Sequence, residues 1–179
     1  MPVTRRTVIK QFLYASAGIV LIPSCVQENK SKASILLKNF SITGSEEAML
    51  AEISETIIPK TNTPGAKDIS AHLFLLKMMD DCRSKEDQEK FLDGLKAFEQ
   101  ASKDKNGKSF SESNTEQRAA LLAALAAVKD KGNAAAEFFS TVKRYTVQAY
   151  TSSEYFLTKV QVYELVPGRY HGCVPVKAA

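Results

Sequence analysis

The C-terminal part of the chain places a cysteine close to a histidine, since Cys173 follows His171 by two residues. Side chains at this spacing on an extended backbone face the same side, and a thiolate beside an imidazole can act as a nucleophile. Such a site also needs a group that orients the histidine and donors for an oxyanion, and the surrounding sequence VPGRYHGCVP indicates neither. We therefore expect no catalytic residue, and an enzyme that uses Cys173 and His171 is kept as a rival hypothesis.

Pairs of acidic residues could serve in general acid–base catalysis. Glu52 and Glu55 are three residues apart and would share a helical face, but acids on an amphipathic helix usually form its solvated side. Asp80 and Asp81 come at the predicted C-terminal end of a helix, where the macrodipole disfavours negative charge. A partner, or a basic neighbour such as Arg83, would explain that position.

Metal and nucleotide chemistry have little support in the sequence. The two histidines, His72 and His171, and the spacing of the cysteines fit no zinc site. The sequence also contains no glycine-rich phosphate motif, no HExxH pair and no CxxCH haem motif. His72 lies on a predicted helix and is interpreted as a capped or core histidine. The chain is predicted to work by binding, not by turning over a substrate.

Helical periodicity characterises the chain from Thr43 to about Val160. Predicted helices begin at Thr43, near Asp68, at Ser84, at Ser113 or Asn114, and near Ala134. Pro59 should end the first helix, Ser102–Ser109 should be a polar loop, and Phe110 should return to the core. The stretch from Thr151 either continues the fifth helix with a bend or begins a sixth. We predict an all-α, single-domain bundle of about five or six helices with an irregular C-terminal tail.

The N-terminal stretch is predicted to be an export signal. Arg5, Arg6 and Lys10 precede an apolar run, Phe12–Ile22, that is shorter than the roughly 20 residues needed to span a bilayer but typical of a secretory signal. The Arg-Arg pair and the residues after it resemble the twin-arginine signal. The alternative is a buried N-terminal helix.

A cysteine closes the predicted signal. Ile22-Pro23-Ser24-Cys25 resembles a lipobox, in which Cys25 becomes the lipidated first residue of the mature protein. The alternative is ordinary cleavage nearby, with Cys25 lost or left free. We predict a signal peptide at 1–24, a polar tether at 25–44 and a helical domain at 45–179, held on a membrane by the lipid and located in the periplasm.

The charge of the mature chain gives no support to a nucleic-acid partner. The formal net charge is +4, but Arg5, Arg6 and Lys10 contribute three charges to it, so the mature side chains retain +1 and form no basic patch.

The sequence leaves three possible states for the other two cysteines. Cys82 and Cys173 could pair in an oxidising compartment, Cys173 could bridge to a partner chain, or both could be buried thiols.

Three stretches of the sequence become recognisable when they are considered together. They are ISETIIPKTNTPGAKD (Ile53–Asp68), LKMMDDC (Leu76–Cys82) and VPGRYHGCVP (Val166–Pro175). The first and last of these stretches, with a twin-arginine start, resemble the gluconate 2-dehydrogenase subunit 3 family over nearly the whole mature chain, from about Ser45 to Val176.

The resemblance implies an exported, non-catalytic subunit. Its partner would be a large FAD-dependent oxidoreductase of the glucose–methanol–choline type that oxidises a sugar, glycoside or sugar acid. No cofactor is expected in this chain, and FAD is expected in the partner. In such systems electrons often pass to a membrane cytochrome c, and the small subunit would carry the folded enzyme through the twin-arginine export machinery.

Two places are candidates for partner binding. One is Pro64-Gly65 in the loop Pro59–Asp68, and the other is Arg169 with Tyr170 in the tail, since Arg and Tyr are enriched at interface hot spots. The alternatives are that the loop only connects two helices and that the tail packs back on the bundle. The alternative function is a free-standing periplasmic lipoprotein that binds a small ligand or a carbohydrate.

Overall fold

The computed structural model describes residues 32–130, 132–161, 168 and 173. In this part of the chain five α-helices precede a short π-helix, and the only β pairing is one isolated bridge, so the all-α prediction is confirmed. The helices are α1 (Gly44–Ile57), α2 (Ala71–Cys82), α3 (Lys85–Asn106), α4 (Thr115–Ala127), α5 (Ala134–Thr151) and the π-helix Phe156–Val160. No helix among these residues is long and apolar enough to cross a bilayer.

Side-chain caps start the helices where the sequence predicts them. Thr43 and Glu46 form a reciprocal capping box on α1, and Asn114 and Gln117 form another on α4. The Ser84 hydroxyl caps α3 by accepting from a backbone amide in its first turn. Each such cap stabilises a helix by about 1 kcal/mol.

The third helix is longer than predicted. Residues 102–106 are its last turn, and a left-handed glycine, Gly107 (φ 70°), ends it. Ser102 is fully buried, and its hydroxyl donates to the carbonyl of Lys108 at 3.2 Å. Lys103 and Lys105 lie in the last turn, where the helix dipole favours cations. The predicted polar loop at Ser102–Ser109 is therefore wrong for its first five residues.

Helix α5 is the centre of the bundle, because it contacts each of the other four helices and the π-helix. Its buried side includes Phe138, Val142 and Tyr145. A polar pair interrupts the apolar seam with α1: the hydroxyls of Ser54 and Thr146, both fully buried, lie 3.2 Å apart. The apolar stripes of the predicted helices thus meet around one shared core.

Helices α3 and α5 approach closely at Gly94. A Cβ at this position would lie 2.7 Å from the Cβ of Phe138, which is closer than carbon atoms pack. Nearby, the ring of Phe98 packs at a tilt against those of Phe138 and Phe110, with ring centroids 5.5 and 5.1 Å apart. Phe110 is fully buried, which confirms its predicted return to the core.

Residues 32–43, which we call the strap, pack against the bundle. Lys32 bridges to Thr43, Ser34 donates to the carboxylate of Glu47, and the ring of Phe40 meets Phe91 at 6.3 Å. Most of the second half of the segment predicted as a tether, 25–44, thus contacts the domain through hydrogen bonds and apolar side chains.

The acid at the end of α2 holds this strap. The Asp80 carboxylate, 1 % exposed, accepts from the backbone amides of Lys38 and Asn39, each at 2.8 Å. Burial raises the pKa of Asp80, but the amide hydrogen bonds outweigh it and leave the pKa lowered. The predicted basic neighbour, Arg83, donates instead to the hydroxyl of Tyr145 at 2.7 Å. Asp80 is explained by backbone donors and not by Arg83.

Candidate partner interface

The loop between α1 and α2, residues 58–70, is tied together by one carboxylate. Glu55, in the last turn of α1, accepts from the backbone amides of Lys60 and Lys67, each at 2.9 Å. The two amides are seven residues apart, so one side chain closes the loop across its width. Glu55, which its position on an amphipathic helix predicts to be solvated, instead organises the loop.

Gly65 lies inside the loop and leaves no room for a side chain. It is buried, and a Cβ there would lie 2.5 Å from Glu55 Oε1 and 2.7 Å from the Lys60 amide nitrogen. Its own amide donates to Asp68 Oδ2 at 3.0 Å. This hydrogen bond, together with the ammonium group of Lys60, lowers the pKa of Asp68. The second helix was predicted to start near Asp68, but α2 begins three residues later. Asp68 instead accepts a hydrogen bond within the loop.

Ser70 precedes α2 in a strained conformation. Its φ of 54° lies in the left-handed region, which costs a residue with a side chain about 1–2 kcal/mol. Strained residues persist where surrounding structure fixes them, and they cluster at functional sites. Here the backbone is held by a hydrogen bond from the Ser70 amide to the carbonyl of Lys67 at 2.9 Å.

A tyrosine of α5 joins the loop to the π-helix. The Tyr150 hydroxyl donates to the carbonyl oxygen of Pro64 at 3.1 Å. The same ring meets Tyr155 and Phe156 edge-on, with centroids 6.5 and 6.2 Å apart. π-helical turns are rare and frequently mark functional sites. The loop and the start of the π-helix therefore lie at one end of the bundle.

The exposed residues at this end form what we call the loop-end surface: residues 59–63 and 67 of the loop and residues 158–160 of the π-helix. It combines Lys60, Lys67 and Lys159 with the apolar side chain of Val160, which is 55 % exposed. The loop backbone is fixed by contacts with the bundle, and the start of the π-helix contacts α5 through the ring of Tyr150. The surface can therefore offer hydrogen-bond donors and one apolar contact to another protein.

Two of the predicted partner-binding residues shape the loop, and the other two lie outside the described residues. Pro64 is half-buried and Gly65 is buried, so they shape the loop while their exposed neighbours would meet a partner. Arg169 and Tyr170 in the tail lie outside the described residues, as do the export residues Arg5 and Arg6 and the lipidation residue Cys25. These assignments stay predictions.

The cysteines are not bonded to each other in the structure: Cys82 and Cys173 are both exposed thiols. Exposure rules out the alternative that both are buried. Pairing with each other or with another chain stays a prediction, and His171, the proposed neighbour of Cys173, lies outside the described residues. His72 is half-buried on α2, burial lowers its pKa, and its buried Nδ1 atom has no hydrogen-bond partner among the described residues.

A second arrangement that the sequence did not reveal connects α1, α4 and the chain before α4. Arg118 donates to Glu52 Oε2 at 2.6 Å and to the carbonyl oxygens of Phe110 and Ser111 at 3.1 and 2.7 Å. Burial raises the pKa of Glu52, but Lys67 and Arg118 outweigh it, so the pKa is lowered. This network gives Glu52 a structural role, unlike the solvated one expected.

A cleft of about 310 Å³ lies between α3, the end of α2 and the first half of α5. Its apolar lining includes the buried side chains of Met79, Phe91 and Phe138. Cations and acids in equal number complete it: Arg83, Lys90, Arg144, Asp87, Asp93 and Glu137. The guanidinium of Arg144 lies 4.7 Å from the centroid of the Tyr145 ring, to whose hydroxyl Arg83 donates.

The comparisons with known proteins gave one match. The sequence profile of the family described as gluconate 2-dehydrogenase subunit 3 matches residues 44–168. Neither the curated proteins nor the solved structures include a match to this chain. The matched region begins with the first residue of α1, contains all five α-helices and the π-helix, and covers more than half of the sequence. The chain therefore belongs to the gluconate 2-dehydrogenase subunit 3 family.

Proposed function

We propose that this chain is the non-catalytic small subunit of a periplasmic FAD-dependent dehydrogenase, which it binds, exports and anchors. Family membership supports a place in a dehydrogenase complex. The partner would be a glucose–methanol–choline type enzyme that acts on a sugar, glycoside or sugar acid, holds the FAD and passes electrons to an acceptor such as a membrane cytochrome c.

The observation that carries the binding role is the loop-end surface. Its loop is closed by Glu55, filled at Gly65 and attached to α5 through Tyr150. Association costs free energy when loops must become ordered at an interface, and a loop that is already fixed avoids that cost. A surface loop whose conformation is fixed in this way is suited to recognition of a protein partner.

The export and anchoring roles rest on the N-terminal sequence. Arg5 and Arg6 would engage the twin-arginine machinery, which accepts folded cargo, so the large subunit could acquire its flavin first. Cys25 would carry lipid, and several acyl chains on one residue make a stable membrane anchor.

The experiment that tests the proposal follows the large subunit in cells. Without this chain, or with Arg5→Lys and Arg6→Lys together, the flavoprotein should remain in the cytoplasm. A Lys10→Gln variant, which removes a charge outside the arginine pair, should export normally. Cys25→Ser should leave export intact but release the complex from membranes. Normal periplasmic dehydrogenase activity in the deletion strain would exclude the proposed role.

The cleft between α2, α3 and α5 favours a second candidate function, a lipoprotein that binds a carbohydrate or another small ligand. Its volume lies at the lower end of the range for ligand pockets, and it combines an apolar lining with charged groups. Titration calorimetry with a panel of sugars and sugar acids tests it. Binding that Arg144→Gln abolishes and Lys103→Gln preserves, with no flavoprotein partner, would favour this candidate over the first.

A further inference from the structure

The strap lies at the opposite end of the bundle from the loop-end surface. Thr43 immediately precedes α1 and Pro59 follows it closely, and this helix has 14 residues, which gives about 21 Å at 1.5 Å per residue. Helix α2 runs back in the other sense, from Ser70 beside the loop to Asp80, which holds the strap. The two surfaces are therefore about 20 Å apart.

The proposed lipid attachment is close to the strap in sequence. Lys32 follows Cys25 by seven positions, and a fully extended chain spans at most about 3.6 Å per residue. Lys32 therefore lies within about 25 Å of a lipidated Cys25. This connection keeps the strap within that distance of the membrane, and the choice of the end that faces the membrane rests on the side chains that the strap presents.

The strap also presents side chains suited to a bilayer surface. Leu36 is 91 % exposed, the largest exposure among the large apolar residues of the described chain, while Ile35 and Leu37 on either side pack against the core. Lys32 and Lys38 flank this group and are exposed. An apolar side chain between lysines matches the interfacial region of a membrane, where acyl chains meet anionic headgroups.

We propose that the strap faces the lipid bilayer, with Leu36 entering its interfacial region and the loop-end surface turned away from it. This orientation rests on the proposed lipidation of Cys25. It places the partner flavoprotein on the membrane-distal side of the bundle, with the helices as a spacer. Lys32 and Lys38 contact anionic headgroups, and the side chain of Leu36 moves out of water into contact with lipid acyl chains.

The absence of tryptophan from the sequence makes a direct test possible. Two variants, Leu36→Trp and Asn62→Trp, each introduce a single indole, the first on the strap and the second on the exposed loop. The lipidated full-length mature chain is purified from membranes and reconstituted into phosphatidylcholine–phosphatidylglycerol vesicles containing brominated lipids, which quench tryptophan on contact. Cys25→Ser in each background reports the contribution of the lipid.

Leu36→Trp should show a blue-shifted emission that brominated lipids quench at least twofold, while Asn62→Trp should be quenched by less than a tenth. Cys25→Ser should abolish flotation with the vesicles. If the chain floats but Asn62→Trp is quenched as strongly as Leu36→Trp or more strongly, the proposed orientation is wrong and the lipid anchor is retained. Failure of the lipid-bearing chain to float would overturn both the anchor and the orientation that depends on it.

Discussion

The hydroxyl of Tyr150 donates to the backbone carbonyl of Pro64 at 3.1 Å, across 86 residues of sequence. This hydrogen bond attaches the 58–70 loop to the last turn of α5. The aromatic ring beneath the hydroxyl also supports the π-helix. One side chain therefore positions both parts of the loop-end surface.

Removal of that hydroxyl should loosen the loop with little effect on the fold. Tyr150→Phe keeps the ring contacts and loses one hydrogen bond, so the free energy of unfolding should fall by about 0.5–1.5 kcal/mol. Hydrogen exchange at the loop amides should accelerate, as measured by mass spectrometry. Tyr155→Phe is the matched control, and equal exchange in the two variants would contradict the role of Tyr150.

Gly65 should not tolerate the smallest side chain. In Gly65→Ala, a Cβ 2.7 Å from the Lys60 amide nitrogen must displace backbone. We expect a loss of about 1–3 kcal/mol in the free energy of unfolding, measured in urea. Asn62→Ala, on the exposed part of the same loop, should change stability by less than about 0.5 kcal/mol. Similar stability of both variants would show that the loop is not tightly packed.

Bulk and charge on the exposed loop should weaken association with the flavoprotein. Asn62→Arg projects into the proposed interface, and we expect at least a tenfold loss of affinity in a binding titration with the purified large subunit. Ala123→Arg places the same side chain on the exposed face of α4, away from the loop, and should bind normally. Unchanged affinity for Asn62→Arg would move the interface elsewhere.

Attachment of the strap should depend on pH through Asp80. The folded state lowers the pKa of this carboxyl, so its stabilisation is complete above the ordinary value of 3.8 and is lost as pH falls through the lowered value. Asp80→Asn should cost about 1–3 kcal/mol at neutral pH. The difference from the unmodified chain should narrow below about pH 3.8 in urea titrations.

The neighbouring acid supplies the control for this prediction. Asp81 is exposed and pairs with Lys77 at 3.2 Å on the surface of α2, an interaction typically worth about 0.5 kcal/mol or less. Asp81→Asn should therefore leave strap exchange and stability nearly unchanged. An equal effect of the two substitutions would indicate general charge effects and no specific bond to the strap.

Local signals in the sequence predicted the helices well. The capping box at Thr43 and the cap at Asn114 are defined by residues three positions apart, and apolar stripes such as Met49, Leu50 and Ile53 need only helical spacing. The last turn of α3 was missed because its residues are polar. Ser102 is nevertheless buried there, since its hydroxyl finds a carbonyl acceptor.

The candidate site depends on contacts that no local pattern encodes. Glu55 and Asp80 look like ordinary helix acids, but their partners are backbone amides, 5 to 12 residues away for Glu55 and 41 to 42 for Asp80. Backbone donors carry no residue signature, so such pairs are invisible in a single sequence. Pro64 and Gly65 lie in the loop between α1 and α2, just before the turn residues 66–70, and whether a loop residue is buried or exposed depends on the rest of the fold.

The hydroxyls of Ser54 and Thr146 meet deep between α1 and α5, the two helices whose final turns carry Glu55 and Tyr150. If one helix were shifted by a turn, both hydroxyls would be buried among apolar side chains without a hydrogen-bond partner. The folded state would lose about 1–3 kcal/mol of stability for each hydroxyl. This single polar contact therefore selects one alignment of the helices. The shape of the surface that would meet a partner protein therefore depends on two residues that are buried and cannot contact that partner.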